Sequence, residues 1–477
     1  MILFFFSFSN GTATGQTNVS GGIYADITWT LANSPYIVTS TVVVFPGHTL
    51  TIEPGVTVKF ENNQQLEIRQ ASIIALGTSA DSIIFTSNSS APYPGIWSSV
   101  YLNGNVSSNF DYCSFSYGHY GIEGAITDMD TIFLNNSSIF NISYYGMQVF
   151  SAGHYVIDNC KIFNNQWGFF GSSKGGIFNY CSIFNNQYNG LDIYDDNVII
   201  RNCTIECNGQ YGIYNYNGSC LIENCNIENN QMGIISDGFT KISNCDFFHN
   251  SYGYSDGSSS HDTIMQSVFK YNGVGLSNRG GGYVNHSIFE YDSIGIRILG
   301  WAYKIFECNV MQHNINYAVK FDNPLNSTFM INNYWGTTDS ATIESMIYDG
   351  YDNVSDGLLS FIPLNTVPCP NVGSSPFSIP DGCFIHKTGI ESIFEKGEIS
   401  IFPNPATSTV TFQLQNSLIS KQNSQLLITD LLGRIVYKKT ITILENTIDV
   451  SRWSTGMYFY QIISNGKKGV GKFVVER

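Results

Sequence analysis

The chain has 477 residues, of which 12% are charged, and it is rich in Gly (45), Tyr (29) and Phe (33). Its net charge of -15 is uneven, because residues 390–477 carry a small basic excess while the longer remainder is strongly acidic. An acidic body argues against binding to nucleic acid or to anionic membranes. The low charge and the shortage of strong helix formers agree with an exported protein built from strands.

The N-terminal residues are typical of a secretory signal. Met1–Ser9 is an apolar run, and Ala13 and Gly15 supply the small residues expected before cleavage at Gln16. The usual Lys or Arg before the run is missing, so a truncated start or an ordinary N-terminal segment is the alternative. We predict a signal peptide over residues 1–15 and no later segment that spans a membrane.

The next stretch contains alternating strands broken by Pro-Gly turns at positions 46–47 and 54–55. We expect it to form the first coils of a solenoid and the cap that covers its open end. Trp29 and Trp97 are expected to pack in this cap rather than to contact a ligand.

From Cys113 onward one phrase recurs about every 22 residues, with spacings of 20 to 24. Each copy has a small anchor residue, an apolar residue, Asn-rich residues and Gly-Ile. The anchors are Cys113, Ser137, Cys160, Cys181, Cys203, Cys225, Cys245, Ser267, Ser287 and Cys308. Such a period predicts a solenoid.

The repeats alternate apolar and polar residues over short stretches and contain no helical periodicity, so each unit is several short strands. Leucine-rich repeats are excluded, because their Leu framework is absent. The units resemble the coils of the pectate-lyase-like superfamily. We therefore predict an all-β protein whose residues 16–364 form a right-handed parallel β-helix of about 13 coils of roughly 22 residues, with a cap and a closing coil.

The anchor cysteines are expected to stack inside one corner of the helix, since equivalent residues of neighbouring coils lie about 4.8 Å apart. Metal binding and disulfides are the alternatives, but CxxC spacing is absent and stacked side chains suit disulfide geometry poorly. We predict buried free thiols.

Residues 331–364 resemble the closing coil of the same secreted β-helix proteins, which implies that Trp335 plugs the core. Residues 365–396 are rich in Pro, Ser and Gly and predict a linker, in which Cys369 and Cys383 are candidates for a disulfide. Cys207 and Cys220 remain unassigned.

The last segment, residues 397–477, alternates polar and apolar residues in about seven short strands, which predicts a small β-sandwich. Its phrases resemble, in order, the type A sorting domain of the bacterial type IX secretion system. The residues that carry this resemblance are Pro403, Asn404, Pro405, Gly433, Gly456, Tyr458 and Lys472. The resemblance implies a Bacteroidota source, passage through the periplasm and recognition by the type IX machinery at the outer membrane. An ordinary β-sandwich binding module is the alternative.

In the pectate-lyase-like superfamily, ligands lie along the outward face of the strand that begins at the Gly-Ile step, so the resemblance implies that a ligand site would lie there. Alternation predicts one outward column there, formed by Glu123, Gln148, Phe170, Asp192, Tyr214, Ile235, Ser255, Ser277, Arg297 and Lys320. Asp192 and Arg297 would lie about 24 Å apart, too far for a lyase site. Glu123 and Asp192 would lie about 14 Å apart, beyond the roughly 6.5 to 9.5 Å of an inverting glycosidase. We therefore predict no catalytic residues.

A cluster of carboxyl groups one turn further on is a candidate calcium site, formed by Asp195, Asp196, Asp237 and Asp256 with Asn217. These residues also suit ordinary turns, so we predict no bound metal and keep calcium as the alternative.

The aromatic residues of the column offer flat faces to sugar rings, and a few basic residues follow them. The predicted glycan-contacting residues are Phe170, Asp192, Tyr194, Tyr214, Tyr216, Arg279 and Arg297. The competing explanation is that these aromatic residues lie together on the surface by chance, because Tyr is abundant in the chain. We predict a secreted or surface-displayed, adhesin-like or glycan-contacting rod, with a lyase or hydrolase acting on an acidic polysaccharide as the alternative.

Overall fold

The computed structural model describes residues 15–104, 107–126, 130–151, 153–256, 261–300, 304–322, 326–373, 399–414, 424–429, 435–441, 445–464 and 467–476. The predicted signal peptide falls almost entirely outside these residues and stays a prediction. The chain divides into two compact units, Met1–Phe384 and Ile385–Arg477. Among the described residues, no helix is long and apolar enough to cross a membrane.

The first unit is a parallel β-helix with three strands in each coil, and we number its three sheets in the order in which a coil visits them. Sheet 1 contains Ile27–Trp29, Thr49–Ile52, Ser72–Leu76, Ser108–Asp111, Thr131–Asn135, His154–Asp158, Gly176–Asn179, Val198–Arg201, Ser219–Glu223, Phe239–Ser243, His261–Met265, Gly281–Asn285 and Lys304–Glu307. Sheet 2 contains Thr57–Phe60, Ile83–Ser87, Cys113–Ser116, Ser138–Phe140, Lys161–Phe163, Ser182–Phe184, Thr204–Glu206, Asn226–Glu228, Asp246–Phe248, Val268–Lys270, Ile288–Glu290 and Val310–Gln312. Sheet 3 contains Leu66–Arg69, Val100–Asn103, Ile122–Ile126, Tyr145–Ser151, Trp167–Ser172, Leu191–Ile193, Tyr211–Asn215, Met232–Ser236, Tyr252–Asp256, Val274–Asn278, Ile294–Ile298, Tyr317–Phe321 and Ile347–Tyr348.

Two long strands at the N-terminal end, Thr17–Ile23 and Tyr36–Val44, bend so that each serves both sheet 2 and sheet 3. Sheet 1 has 13 strands, which confirms the predicted number of coils. Every pairing between neighbouring coils is parallel, as a solenoid that stacks equivalent strands requires.

The core is a continuous stack of inward side chains, and three tryptophans are fully buried at its ends. Trp29 stacks on Tyr36 with ring centroids 4.8 Å apart, and Trp97 stacks on Phe60 at 4.1 Å. Trp335 is buried near the closing coil. The predicted packing roles of the three tryptophans are confirmed.

The corner between sheets 1 and 2 holds most of the predicted anchor residues, and we call it the Cys corner. Its cysteines are buried with free thiols, namely Cys113, Cys160, Cys181, Cys203, Cys225 and Cys245. The backbone N–H of Cys181 donates to Cys203 Sγ on the next coil at 3.4 Å, and the Cys181 thiol donates to the carbonyl of Ile157 at 3.3 Å. Burial raises the pKa of the Cys113 thiol, which keeps it neutral. The predicted thiol column is confirmed for these six residues.

Cys308 is a correction to the predicted column. The corner position on its coil belongs to Asn309, whose Oδ1 accepts the N–H of Ser287 at 3.0 Å. Cys308 precedes it at a φ of 55°, the left-handed position, and forms a disulfide with Cys369. The predicted pairing of Cys369 with Cys383 is therefore wrong. Cys207 is also disulfide-bonded, whereas Cys220 is buried and free.

A second inward ladder fills the corner between sheets 2 and 3, which we call the Asn corner. It contains Asn165, Asn186, Asn208, Asn230, Asn250, Asn272, Asp292 and Asn314. Asn208 Oδ1 accepts the N–H of Asn186 at 3.2 Å, and Asn208 Nδ2 donates to the carbonyl of Ile183 at 3.3 Å. Gly168 follows this corner because an added Cβ would lie 2.2 Å from the carbonyl of Gly190. The close approach of the next coil's backbone thus explains the Gly of each repeat.

The C-terminal end of the first unit carries a short helix, Ser340–Glu344, and a parallel pair of strands, Thr328–Phe329 and Leu359–Ser360. A one-turn 3₁₀ helix, Leu31–Asn33, lies near the other end. Residues 365–373, the start of the predicted linker, lie against the last coils. The N–H of Gly373 donates to the carbonyl of His286 at 2.8 Å, and the Cys308–Cys369 disulfide holds the segment.

The second unit is built from two small antiparallel sheets. One contains Ile399–Phe402, Thr409–Leu414 and Glu445–Asp449, and the other contains Ser424–Thr429, Ile435–Ile441, Gly456–Ser464 and Lys467–Val475. Buried side chains including Phe412, Ile428 and Phe473 form its own core. The seven predicted strands are confirmed.

Candidate glycan-binding face

The outward column predicted from alternation exists on sheet 3. Strand register pairs Glu123 with Gln148, Gln148 with Phe170, Phe170 with Asp192 and Asp192 with Tyr214. The same register continues through Ile235, Ser255, Ser277, Arg297 and Lys320. In the other direction it extends through Tyr101 to Glu67.

The four predicted aromatic residues contact one another on consecutive coils. The ring centroids of Phe170 and Tyr194 lie 5.2 Å apart, and Tyr194 stacks on Tyr216 at 4.7 Å. Tyr214 lies edge-on to both tyrosines, at 6.2 and 5.8 Å. Tyr194 and Tyr216 are each 40% exposed, so a ligand can reach them.

Sequence reasoning missed a second row of aromatic residues, one or two positions before the Gly of each repeat. Tyr145 contacts Phe170 at 5.2 Å and Trp167 at 5.4 Å, and Trp167 stacks on Tyr188 at 4.5 Å. The signal was present in the sequence, because the residue just before this Gly is aromatic on five coils, as Tyr120, Tyr145, Trp167, Tyr211 and Tyr252. We call the joined rows the aromatic face, which comprises Tyr120, Tyr144, Tyr145, Trp167, Phe170, Tyr188, Tyr194, Tyr211, Tyr214 and Tyr216.

Asp192 lies in the middle of the aromatic face but is only 4% exposed. Asn189 Nδ2 donates to Asp192 Oδ1 at 2.6 Å, and the Tyr145 hydroxyl is a second hydrogen-bond partner. Burial raises the pKa of the Asp192 carboxyl to about 6, in spite of these two hydrogen bonds. Asp192 is thus placed to orient Tyr145 and Asn189 rather than to meet a ligand at the surface.

The predicted basic residues lie apart from the aromatic face, since Ile235, Ser255 and Ser277 occupy the column between them. Arg297 forms an ion pair with Asp322, and Lys320 Nζ lies 3.2 Å from the same carboxylate. Arg297 Nη1 also donates to the hydroxyl of Tyr252 at 3.2 Å. Arg279 is exposed, and its backbone N–H donates to Asp256. Asp322 therefore balances one of the two positive charges of Arg297 and Lys320.

The carboxyl groups weighed for calcium do not face one site. Asp195 is buried and accepts the hydroxyl of Tyr155 at 2.9 Å, while Asp256 points into the core and pairs with Lys304. In the described ranges no group of three or more His, Cys, Asp or Glu side chains is arranged to hold a metal.

Two other carboxyl groups of the column, those of Glu67 and Glu123, have pKa values shifted in opposite directions. Arg69 donates to Glu67 at 2.7 Å and lowers the pKa of that carboxyl, whereas burial raises the pKa of Glu123. Tyr101 lies between them in the register. Sequence reasoning missed Glu67 because it began the column at Glu123.

The described residues of the sorting resemblance lie within or next to strands of the second unit. Pro403 and Pro405 flank Asn404, whose Oδ1 accepts the N–H of Val474 at 2.9 Å. The Tyr458 hydroxyl donates to the carbonyl of Ser454 at 2.8 Å. Gly456 begins the strand that pairs with Lys467–Val475, where Lys472 lies opposite Phe459. Gly433 lies outside the described residues.

Comparison with known families agrees with both units. Residues 98–240 match the family described as right handed beta helix region, and residues 400–476 match the secretion system C-terminal sorting domain. The chain is a right-handed parallel β-helix protein with a C-terminal sorting domain. The predicted type IX tail is thereby confirmed, whereas the signal peptide and the Bacteroidota source remain predictions.

Several solved structures resemble this β-helix protein at low identity. Pectate lyase Pel9A is 13% identical with a TM-score of 0.35, over 51% of this chain and 67% of that chain. The periplasmic alginate epimerase AlgG is 11% identical with a TM-score of 0.43, over 65% and 84%. Tailspike protein 2 from Escherichia coli O157:H7 bacteriophage CAB120 is 11% identical with a TM-score of 0.28, over 96% and 64%. None of these likenesses bears on the activity of the present protein.

A short segment also resembles Protein bark beetle of Drosophila melanogaster, with 43% identity over 63 residues. The match covers 13% of this chain and 2% of that protein's length.

Proposed function

We propose that this protein is exported by type IX secretion to the cell surface or medium, where its β-helix binds a polysaccharide as an adhesin-like rod. The observation that carries the proposal is the aromatic face, a continuous set of ring contacts on neighbouring coils of sheet 3. Rings such as Tyr194 and Tyr216 combine a large apolar surface with a hydroxyl group, which suits the mixed apolar and hydroxyl surface of a sugar ring.

The charges around the aromatic face favour an uncharged glycan over an acidic one. Asp192 lies beneath the rings, and the Tyr214 hydroxyl donates to Asp237 at 3.3 Å. Arg297 and Lys320 lie further along the column and share Asp322, so they add little positive charge beside the rings. An acidic polysaccharide would meet the partly exposed Asp237 carboxylate here without a matching excess of positive charge.

The proposal is tested by affinity electrophoresis through gels that contain neutral or acidic polysaccharides. The double variant Tyr194→Ala with Tyr216→Ala should weaken retardation by a neutral polysaccharide about tenfold, which corresponds to about 1.4 kcal/mol. The control is Tyr283→Ala, because Tyr283 is 52% exposed on sheet 1 and should leave retardation unchanged. Equal retardation of the double variant and the parent protein by every bound polysaccharide would contradict the proposal.

A second candidate function, a glycoside hydrolase, is favoured by Glu67 and Glu123. Their strands are two coils apart, which is about 10 Å at about 4.8 Å per coil and close to the separation used by inverting enzymes. Their pKa values are displaced in opposite directions, which is the arrangement that an acid and a base require. Release of sugar reducing ends that is lost in Glu123→Gln would support this candidate, and unchanged release would exclude Glu123.

A further inference from the structure

Inside the last coils a lysine and an aspartate meet without contact with solvent. Lys304 Nζ lies 3.3 Å from Asp256 Oδ2, and both side chains have 0% exposed surface. Neither residue belongs to the aromatic face. A buried ion pair of this kind often destabilises the fold, since the free energy lost with hydration often exceeds the attraction between the charges.

The backbone explains how Lys304 reaches its partner. In sheet 1, Lys304 pairs with Gly282 on the preceding coil, and Gly282 pairs with Asp262 on the coil before that. Because Gly282 has no side chain, the lysine can extend along the axis of the helix past that coil. Asp256 meets it from sheet 3, where it ends the strand Tyr252–Asp256.

The carboxyl group of Asp256 is held by further donors. The backbone N–H groups of Arg279 and Gly280 both donate to it, the latter at 2.8 Å. Lys304 Nζ also lies 5.9 Å from the centre of the Tyr254 ring, whose hydroxyl donates to Asp262. One buried cluster thus contains the amine of Lys304, the carboxyl group of Asp256 with its backbone N–H donors, and a second buried acid, Asp262.

We propose that Lys304 and Asp256 are joined by an intramolecular amide bond that forms without an added enzyme. A proton passes from the ammonium group to the carboxylate, which leaves a neutral amine and a carboxylic acid. Lys304 Nζ then attacks Asp256 Cγ, the N–C bond forms and the Cγ–Oδ2 bond breaks. Oδ2 leaves as water, which carries the proton of the carboxylic acid and one proton from the nitrogen. The N–H of Arg279, which donates to Oδ1, stabilises the negative oxygen of the tetrahedral intermediate, whereas the N–H of Gly280 donates to the departing Oδ2.

Two physical effects drive this step. The fold holds the amine and the carboxyl group in contact, so the reaction behaves as a unimolecular one. The neutral amide also removes two charges from the core, which ends the cost of burying them. The bond would join residues 48 positions apart and tie sheet 3 to sheet 1 near the C-terminal end of the β-helix.

The test is mass spectrometry of the full chain, purified in folded form and then reduced and denatured. The protein should be lighter than its sequence by the mass of one water, and digestion should yield a branched peptide that contains Lys304 and Asp256. Lys304→Met should show the full mass of its own sequence. Lys270 and Glu290, a pair 3.7 Å apart that remains partly exposed, should be recovered in separate peptides.

Separate, unlinked peptides for Lys304 and Asp256 from the folded parent protein would overturn the proposal. A loss of water located at any other pair of residues would also overturn it. Both outcomes are read on the parent chain, so they remain decisive even if Lys304→Met does not fold.

Discussion

Asp292 stands in the Asn corner where the neighbouring coils carry Asn272 and Asn314. Its Oδ1 accepts the N–H of Asn272 at 2.7 Å, as an asparagine would do. Its Oδ2 is buried and has no hydrogen-bond partner among the described residues. Burial raises the pKa of this carboxyl to about 8, so the ladder holds it as a neutral acid at lower pH.

Asp292→Asn should therefore stabilise the β-helix in a pH-dependent manner. The folded-state pKa lies above the unfolded value of about 3.9, so the parent protein loses stability as pH rises between these values. The variant has no such loss. Its advantage in unfolding free energy should grow by at most about 1.4 kcal/mol per pH unit up to about pH 8, and then level off.

The measurement is the urea midpoint of both proteins at a series of pH values from 4 to 9, with Asp237→Asn as the partly exposed control. A constant difference between Asp292→Asn and the parent protein across that range would show that the ladder does not raise this pKa.

Single residues also mark where sequence reasoning failed. Cys308 looked like a member of the Cys corner, but the inward position on its coil belongs to the next residue, Asn309. A shift of one position moves a side chain from the core to the surface. Alternation along its strand also places the Asp256 side chain in the core, whereas the sequence pattern groups Asp256 with turn residues.

At the scale of a coil, the two corners carry different chemistry. The Cys corner packs small polarisable groups, whereas the Asn corner continues the hydrogen bonds of the strands through side chains. The period of the repeat was enough to predict the coils, because each coil must bury the same face. The second corner was missed because Asn is also common in ordinary turns.

Asn208→Ala should destabilise the β-helix by roughly 3 kcal/mol, because it leaves buried backbone groups without partners. The groups that lose their hydrogen bonds are the N–H of Asn186 and the carbonyl of Ile183. The exposed Asn217 is the control, and Asn217→Ala should cost much less. Chemical unfolding followed by circular dichroism would measure the free energy of unfolding of both variants. Equal losses in the two variants would contradict a structural role for the Asn corner.

In the molecule as a whole, the sorting signal and the proposed polysaccharide binding belong to different units. The sorting phrases were specific enough to predict the second unit, because they occur in a fixed order within one short segment. The aromatic face was predicted only in part. Alternation after the Gly-Ile step located Phe170 and Tyr214, but the contacts of Tyr145 and Trp167 depend on how neighbouring coils stack.

Deletion of residues 390–477 should abolish export and leave the β-helix folded, since each unit has its own hydrophobic core. In a host with a working type IX system, the truncated protein should accumulate in the periplasm with the thermal midpoint of the intact β-helix. Appearance of the truncated protein at the surface or in the medium would refute the sorting role of this tail.

The central claim is that the exported β-helix binds a polysaccharide without cleaving it. The most direct measurement incubates the purified protein with a panel of polysaccharides and scores both retention of the protein and release of sugar products. We expect retention by at least one neutral polysaccharide and no product. Product release, or the absence of retention by every polysaccharide, would contradict it.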